Sequence, residues 1–227
     1  VLLAPEAGVY RLLLEGSGEG SLTLGGTELL RLPDQPEALV HLARGRHALW
    51  AEVHPTANAD IGLTWQVPGT STAVAVEQEY LYHSPVEEGG LQGDYIPGEG
   101  EDWSGVAFSR IDPWVDFYFH ILPLPRPYRV RWHGWLVPPM VGDYQFILQA
   151  RDRAEMWLDG DLVLRTEAPE LSVVATRYLE GPLAMEVRFW DETGYTQVRL
   201  RWRRPDSVEE VIPLTALRPP APALIAQ

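Results

Sequence analysis

Gly142 to Gly160 reads GDYQFILQARDRAEMWLDG. Two runs of alternating apolar residues, Tyr144-Phe146-Leu148 and Met156-Leu158, flank a charged tip, Arg151-Asp152-Arg153. That is the pattern of two half-buried strands joined by a polar loop, and it predicts a β-hairpin with a polar apex. An earlier stretch repeats it. Gly8-Val9-Tyr10-Arg11-Leu12-Leu13-Leu14 stands over Gly142 to Leu148, and Leu24-Gly25-Gly26 stands over Leu158-Asp159-Gly160.

Outward from that stretch, the same punctuation continues through all 227 residues. Twenty Gly and 20 Pro separate short apolar runs, and none of these keeps a helical period for long. The fold class this predicts is all-β, as two consecutive antiparallel β-sandwich units. Residues 1–88 form a shortened unit and residues 89–218 a complete one. The joint Val86-Glu87-Glu88-Gly89-Gly90 separates them, and the Pro-rich residues 219–227 read as an extended linker. The expected strands of the second unit include Trp114 to His120 and Tyr128 to Leu136. Further correspondences support one ancestry for the two units: Leu63-Thr64-Trp65 answers Leu200-Arg201-Trp202, and Leu81 answers Leu217.

The totals exclude several function classes. Eighteen basic side chains, all Arg, stand against 32 acidic ones, for a net charge of −14. Such a surface repels phosphate backbones and anionic lipid, so nucleic acid is not an expected partner and no membrane contact is expected. The absence of cysteine removes disulfides and thiolate metal sites. No apolar run reaches the ~18 residues of a membrane helix. Because Val1 falls inside a running strand, the chain reads as a piece of a longer protein, with any anchor or export signal outside it.

Residues 90–218 resemble the protective-antigen-type domain (PA-14), a β-sandwich. The resemblance is carried by Gly90-Leu91-Gln92-Gly93-Asp94-Tyr95, by Val130-Arg131-Trp132-His133-Gly134-Trp135-Leu136 and by Gly142-Asp143-Tyr144-Gln145-Phe146. It continues through Met156-Trp157-Leu158-Asp159-Gly160, Leu179-Glu180-Gly181, Leu200-Arg201-Trp202 and Val211-Ile212-Pro213. The first unit looks like a diverged and shortened copy.

The resemblance implies a non-catalytic module that binds a glycan or polysaccharide, extracellular or on a bacterial cell surface. It would be an accessory to other domains of its parent chain, such as a glycosyltransferase or glycosidase. The alternative is a structural spacer or interdomain protein-interaction module. In the adhesin branch, two adjacent aspartates at the apex hold calcium together with an Asn. Here only Asp152 of Arg151-Asp152-Arg153 matches. Two flanking guanidinium groups repel a hard cation, so no metal or other cofactor is expected.

Asp152 has three readings: a ligand with Asp191 and Glu192, a sugar contact shared with Arg151 and Arg153, or a plain surface ion pair. Alternation sorts the tryptophans. Trp65, Trp132 and Trp202 share strand faces with aliphatic residues and read as core. Trp190 and Trp157 fall on outward parity, which makes Trp190, next to Asp191, the leading stacking platform for a pyranose. Trp157 is also read as covered by a neighbouring loop, and Trp103 and Trp114 as pins for the Pro/Gly-rich segment around them. Glu99, Glu101, Asp102, Asp112 and Asp116 crowd one stretch, but acidic loops are most simply solvated faces, and no catalytic residue is expected. The six His lie on different segments without metal-ligand spacing.

Overall fold

The computed structural model describes residues 1–56, 60–82, 89–118, 122–168 and 171–224. The chain divides into unit 1, residues 1–88 with 221–227, and unit 2, residues 89–220. Each is antiparallel β. Among the described residues, the helical turns are two short 3-10 segments, Gln78–Tyr80 and Leu214–Ala216.

Unit 1 contains β1 (Leu2–Ala4), β2 (Gly8–Gly16), β3 (Gly18–Leu24), β4 (Thr27–Leu32), β5 (Glu37–Leu42), β6 (Gly45–His47), β7 (Leu49–Pro55), β8 (Ile61–Gln66) and β9 (Val74–Ala75). Strand period decides which side chains go inside: along β2, Tyr10, Leu12 and Leu14 are buried while Val9, Arg11 and Glu15 are exposed. The strands form sheets ordered β5-β2-β8-β9 and β4-β3-β7, with β1 paired to β6. Their inner faces close over Leu2, Tyr10, Leu12, Leu22, Leu24, Val40 and Trp65.

Unit 2 contains β10 (Leu91–Pro97), β11 (Phe108–Asp112), β12 (Asp116–Phe117), β13 (Tyr128–Leu136), β14 (Gly142–Ala150), β15 (Ala154–Leu158), β16 (Asp161–Thr166), β17 (Ser172–Leu179), β18 (Leu183–Asp191), β19 (Val198–Arg203), β20 (Glu209–Val211) and β21 (Leu217–Arg218). One sheet runs β11-β10-β13-β18-β15-β16 and the other β12-β19-β14-β17. Val130, Trp132, Met156, Val187 and Phe189 of the first meet Tyr144, Phe146, Leu148, Leu200 and Trp202 of the second in one continuous core. Trp65, Trp132 and Trp202 are core residues, in line with their parity.

Three expectations change. The Gly142–Gly160 stretch is not a hairpin. β14 pairs with β17 and β19 in one sheet, and β15 pairs with β16 and β18 in the other, so Arg151-Asp152-Arg153 carries the chain across the edge of the sandwich. β2 and β3 are separated in the same way. Alternation reports that each strand has one buried face. It does not report whether two such faces lie side by side or look at each other across a core.

The second change is at the C-terminus. Residues 219–227, expected as a linker, include β22 (Ala223–Leu224), which pairs with β5 through Ala223↔His41 and Leu224↔Val40. The third lies in the strand expected from Trp114 to His120, of which only Asp116–Phe117 is strand among the described residues. Residues 119–121, like 86–88 of the expected joint, are outside the described residues, and Trp114 is exposed, not a pin.

The true hairpins follow the arches. β15 and β16 are joined by Asp159-Gly160 at φ 48° and 86°, and β3 and β4 by Gly25-Gly26 at φ 57° and 83°. Positive φ at both central residues is the turn whose twist suits two antiparallel strands. Both hairpins carry a register shift at one position, between Met156 and Trp157 and between Leu22 and Thr23. In unit 2 the Tyr144 hydroxyl donates to the Met140 carbonyl (2.9 Å), and its ring lies 4.9 Å from Trp202. In unit 1 the Tyr10 hydroxyl donates to the Glu6 carbonyl (2.8 Å), and its ring lies 5.5 Å from Trp65.

Candidate functional site

The apex loops of unit 2 do meet, through Asp152. Its Oδ2 accepts the backbone N–H groups of Glu192 (3.0 Å) and Thr193 (3.1 Å), so the carboxylate clamps the 191–196 loop to the crossover between β14 and β15. Asp191 faces the other way and is fully buried. It accepts from Arg126 Nε (2.8 Å) and from the Thr196 hydroxyl. Arg153 places one arm on Glu101 Oε1 (2.6 Å) and the other on Glu155 Oε1 (2.6 Å), and Arg151 packs 5.6 Å from the Tyr195 ring.

This arrangement corrects two of the proposed site residues. Trp190 does point away from the sandwich core, as its parity requires, but it is only 2 % exposed. The guanidinium of Arg153 sits 4.0 Å over its ring, Trp103 meets it edge-on at 5.1 Å, and its indole N–H donates to the Gly100 carbonyl (3.0 Å). The Pro/Gly-rich segment folds over this part of the sheet, and a period-2 reading carries no information about a distant loop. Asp191 is equally inaccessible, because its charge is consumed by Arg126. The donor set does not fit a hard cation either. Asp152 spends Oδ2 on two backbone donors and sits between two arginines, and among the described residues no group of three or more His, Asp or Glu is placed to hold a metal ion.

Next to the apex, the outer face of the larger sheet carries two buried carboxylates, Asp94 and Glu155, each held by several donors. Asp94 on β10 accepts from Arg131 (2.8 Å), Ser109 (2.7 Å) and Gln92 (2.9 Å) and contacts His133 Nε2 (3.0 Å). Burial by itself would push its carboxyl up, but those hydrogen bonds outweigh it and hold the group well below the usual carboxylate range. Glu155 on β15 is 1 % exposed and accepts from Arg153, Arg165 (2.9 Å) and the Trp157 indole N–H (3.1 Å). Burial again opposes ionisation, and the Arg153 bond and charge lead the groups that overcome it. On the opposite, core-side face of the same sheet, Asp112 accepts from Tyr95 and Trp132 through Oδ2 (2.8 and 2.7 Å). In its case burial prevails and raises the pKa.

Beyond this layer the same sheet face opens into a groove of about 400 Å³, lined by His133, Trp135, Trp157, Ala184, Glu186 and Arg188. Register builds it. Trp135 stands opposite Ala184, His133 opposite Glu186, and Glu186 in turn opposite Trp157. The two tryptophans therefore stand at diagonal positions on either side of β18, with Ala184 and Glu186 between them. Trp135 is 47 % exposed. Trp157 is half-buried and pinned by its N–H to Glu155. Arg188 pairs with Glu186, and its guanidinium lies 4.8 Å from the Trp157 ring and 5.4 Å from the Trp103 ring.

Of the six residues singled out from the sequence, Trp157 alone reaches this groove. Arg151, Asp152, Arg153, Trp190 and Asp191 hold the apex together. Trp135 was readable in principle, since Val130, Trp132 and Leu136 set an inward parity that leaves residue 135 outside. Glu186 and Arg188 needed the pairing register, which a single strand does not reveal.

The crossover, the groove strands β13, β15 and β18 and most of the core fall within one matched stretch: the sequence profile of the PA14 domain covers residues 123–216. Unit 2 carries a PA14 domain. Over 139 residues, 57 % of this chain, the sequence is 26 % identical to the anti-sigma-I factor RsgI3 of Acetivibrio thermocellus, of which the match covers 21 %. The chain thus spans about a fifth of the curated relative it matches. Two solved anti-sigma factor domain-containing proteins, one from Clostridium clariflavum, share the fold at a TM-score of 0.53. They are 16 % and 20 % identical, and each alignment covers 96 % of this chain and 82 % or 81 % of the other. The PA14 domain places its groove on β13, β18 and β15, away from the crossover loops. No helix among the described residues is long and apolar enough to cross a membrane.

Proposed function

We propose that this chain is a non-catalytic carbohydrate-recognition module that binds through the outer-face groove of unit 2. The observation that carries the reading is the pair of indoles, Trp135 and Trp157, on either side of a groove whose floor holds Glu186 and Arg188. Flat aromatic faces suit the C–H faces of pyranoses, and the charged pair supplies donors and acceptors for hydroxyls. A volume near 400 Å³ is in the ordinary range for a small-ligand site. The reading extends to the parent protein. We propose a bacterial cell-surface or extracellular setting, with this module recognising glycan for a larger chain. The RsgI3 match favours a signalling chain as the parent over a glycosyltransferase or glycosidase.

The two units are proposed to share one ancestry. The twinned Tyr–Trp contacts, the twinned positive-φ turns and the equivalent register shifts support it.

A glycan array probed with the intact chain tests the function. Binding that disappears in Trp135→Ala supports it. An array without any bound glycan, from protein shown to be folded, overturns it and favours the second reading, an interdomain spacer. That second reading has its own support in the apex, where Trp190 and the Arg153 guanidinium are packed under Trp103 and Glu101.

A further inference from the structure

We infer that the groove selects an uncharged, extended oligosaccharide of at least two sugar units, laid diagonally across β13, β18 and β15, and that it does so without a metal ion. This rests on the carbohydrate reading above and adds ligand length, ligand charge and direction.

Length follows from the sheet. Trp135 and Trp157 are separated by two strand spacings and, through the pairs His133↔Glu186 and Glu186↔Trp157, by two residues along the strand. With ordinary strand geometry their backbones are about 12 Å apart. That is longer than one pyranose ring, so one sugar does not cover both indoles. Trp157 does not swing inward to meet a short ligand, because its N–H is fixed on buried Glu155 and one face of its ring lies against Arg188. A chain that stacks on both indoles crosses β18 between Ala184 and Glu186.

Charge follows from the partners. The cation in the groove, Arg188, is already paired with Glu186 and lies against two indoles. His133 is turned to Asp94. A carboxylate, sulfate or phosphate on the ligand that approached Arg188 would compete with its pairing to Glu186 and would meet that acid at close range. Hydroxyl groups instead add to the pair, as acceptors for the guanidinium and donors to the carboxylate. Nothing in this scheme calls on a metal: Glu186, the carboxylate that lines the groove, is paired with Arg188, and a single carboxylate is too few oxygen ligands for a hard cation.

The test is a calorimetric titration of the intact chain with glucose, with the neutral hexaoses of the cello, xylo and malto series, and with an oligogalacturonate of similar length. Each is run in chelator and again in millimolar calcium. At least one neutral hexaose is expected to bind tenfold or more tighter than glucose and than the oligogalacturonate, equally with and without calcium. Trp135→Ala, at an exposed position, and Trp157→Ala are each expected to weaken it at least tenfold and to flatten the dependence on length. If Trp157→Ala fails to fold by circular dichroism, the Trp135→Ala length series decides. Equal affinity for glucose and hexaose, preference for the oligogalacturonate, or a requirement for calcium would overturn this inference while leaving carbohydrate recognition standing. No binding to any sugar would overturn both.

Discussion

The guanidinium of Arg153 lies 4.0 Å above the ring of Trp190, and its two arms reach Glu101 on the overlying segment and Glu155 in the sheet. One side chain thus pins a loop, caps an indole and partners a buried acid. The charged apex that looks from sequence like a ligand-binding tip is, in the fold, an internal fastening.

Replacing Arg153 by Ala removes all three contacts at once and leaves Glu155 with Arg165 and Trp157 alone. The expected cost is about 2–4 kcal/mol, from an under-paired buried carboxylate plus a lost cation–π contact. Urea unfolding followed by tryptophan fluorescence measures it. A change below about 0.5 kcal/mol would mean the fastening is ornamental.

Trp190 and Trp135 are expected to behave oppositely. Trp190→Ala opens a cavity under the 98–105 segment and should cost ~3–5 kcal/mol, while the groove keeps its shape. Trp135→Ala, on an exposed outward position, should change stability by no more than about 0.5 kcal/mol and weaken glycan binding at least tenfold. Paired melting and binding measurements on the two variants check this. Loss of binding in a still-folded Trp190 variant alone would return the site to the apex.

Asp152→Ala deprives two backbone donors of their acceptor, for an expected loss of about 1–2 kcal/mol. Asp152→Asn, which keeps one acceptor oxygen, should recover part of that. The parent protein should melt at the same temperature in chelator and in millimolar calcium, since a cation that bound the folded state would raise it.

Asp94 supplies a pH signature. Its folded-state pKa lies below the ordinary value of 3.8, so its ionised form stabilises the fold. That contribution is complete above about pH 5 and is lost as pH falls through and below the unfolded-state value. Asp94→Asn should therefore be destabilised relative to the parent at pH 7, with the gap narrowing in acid-titration unfolding curves between about pH 4 and pH 2. A gap independent of pH would mean that packing, and not charge, is what Asn fails to replace.

Much of the architecture is legible in the residues themselves. Tyr144, Phe146 and Leu148 alternate inward as they must, Trp65 and Trp202 sit in their cores, and Asp159-Gly160 makes the turn its residue types favour. What is not legible is anything that depends on which strand lies beside which. The arch at Arg151–Arg153 and a hairpin have the same alternation. Trp190 and Trp135 both have outward parity, and only the long-range path of the 98–105 segment covers one and leaves the other in the groove. Arg188 and Glu186 become a site by lying next to Trp157, a relationship written in the pairing of β15 with β18 and in neither strand alone.

The pairing of Ala223–Leu224 with β5 has a consequence for assembly during translation. The sheet that begins at the N-terminal end of the chain receives an edge strand only after every residue of the PA14 domain has left the ribosome. Until then Val40 and His41 present open backbone donors and acceptors, a template for strands of other chains. Unit 2 is in this sense an insertion inside unit 1. A nascent chain arrested before residue 223 would be expected to hold a finished outer-face groove and an unfinished neighbour.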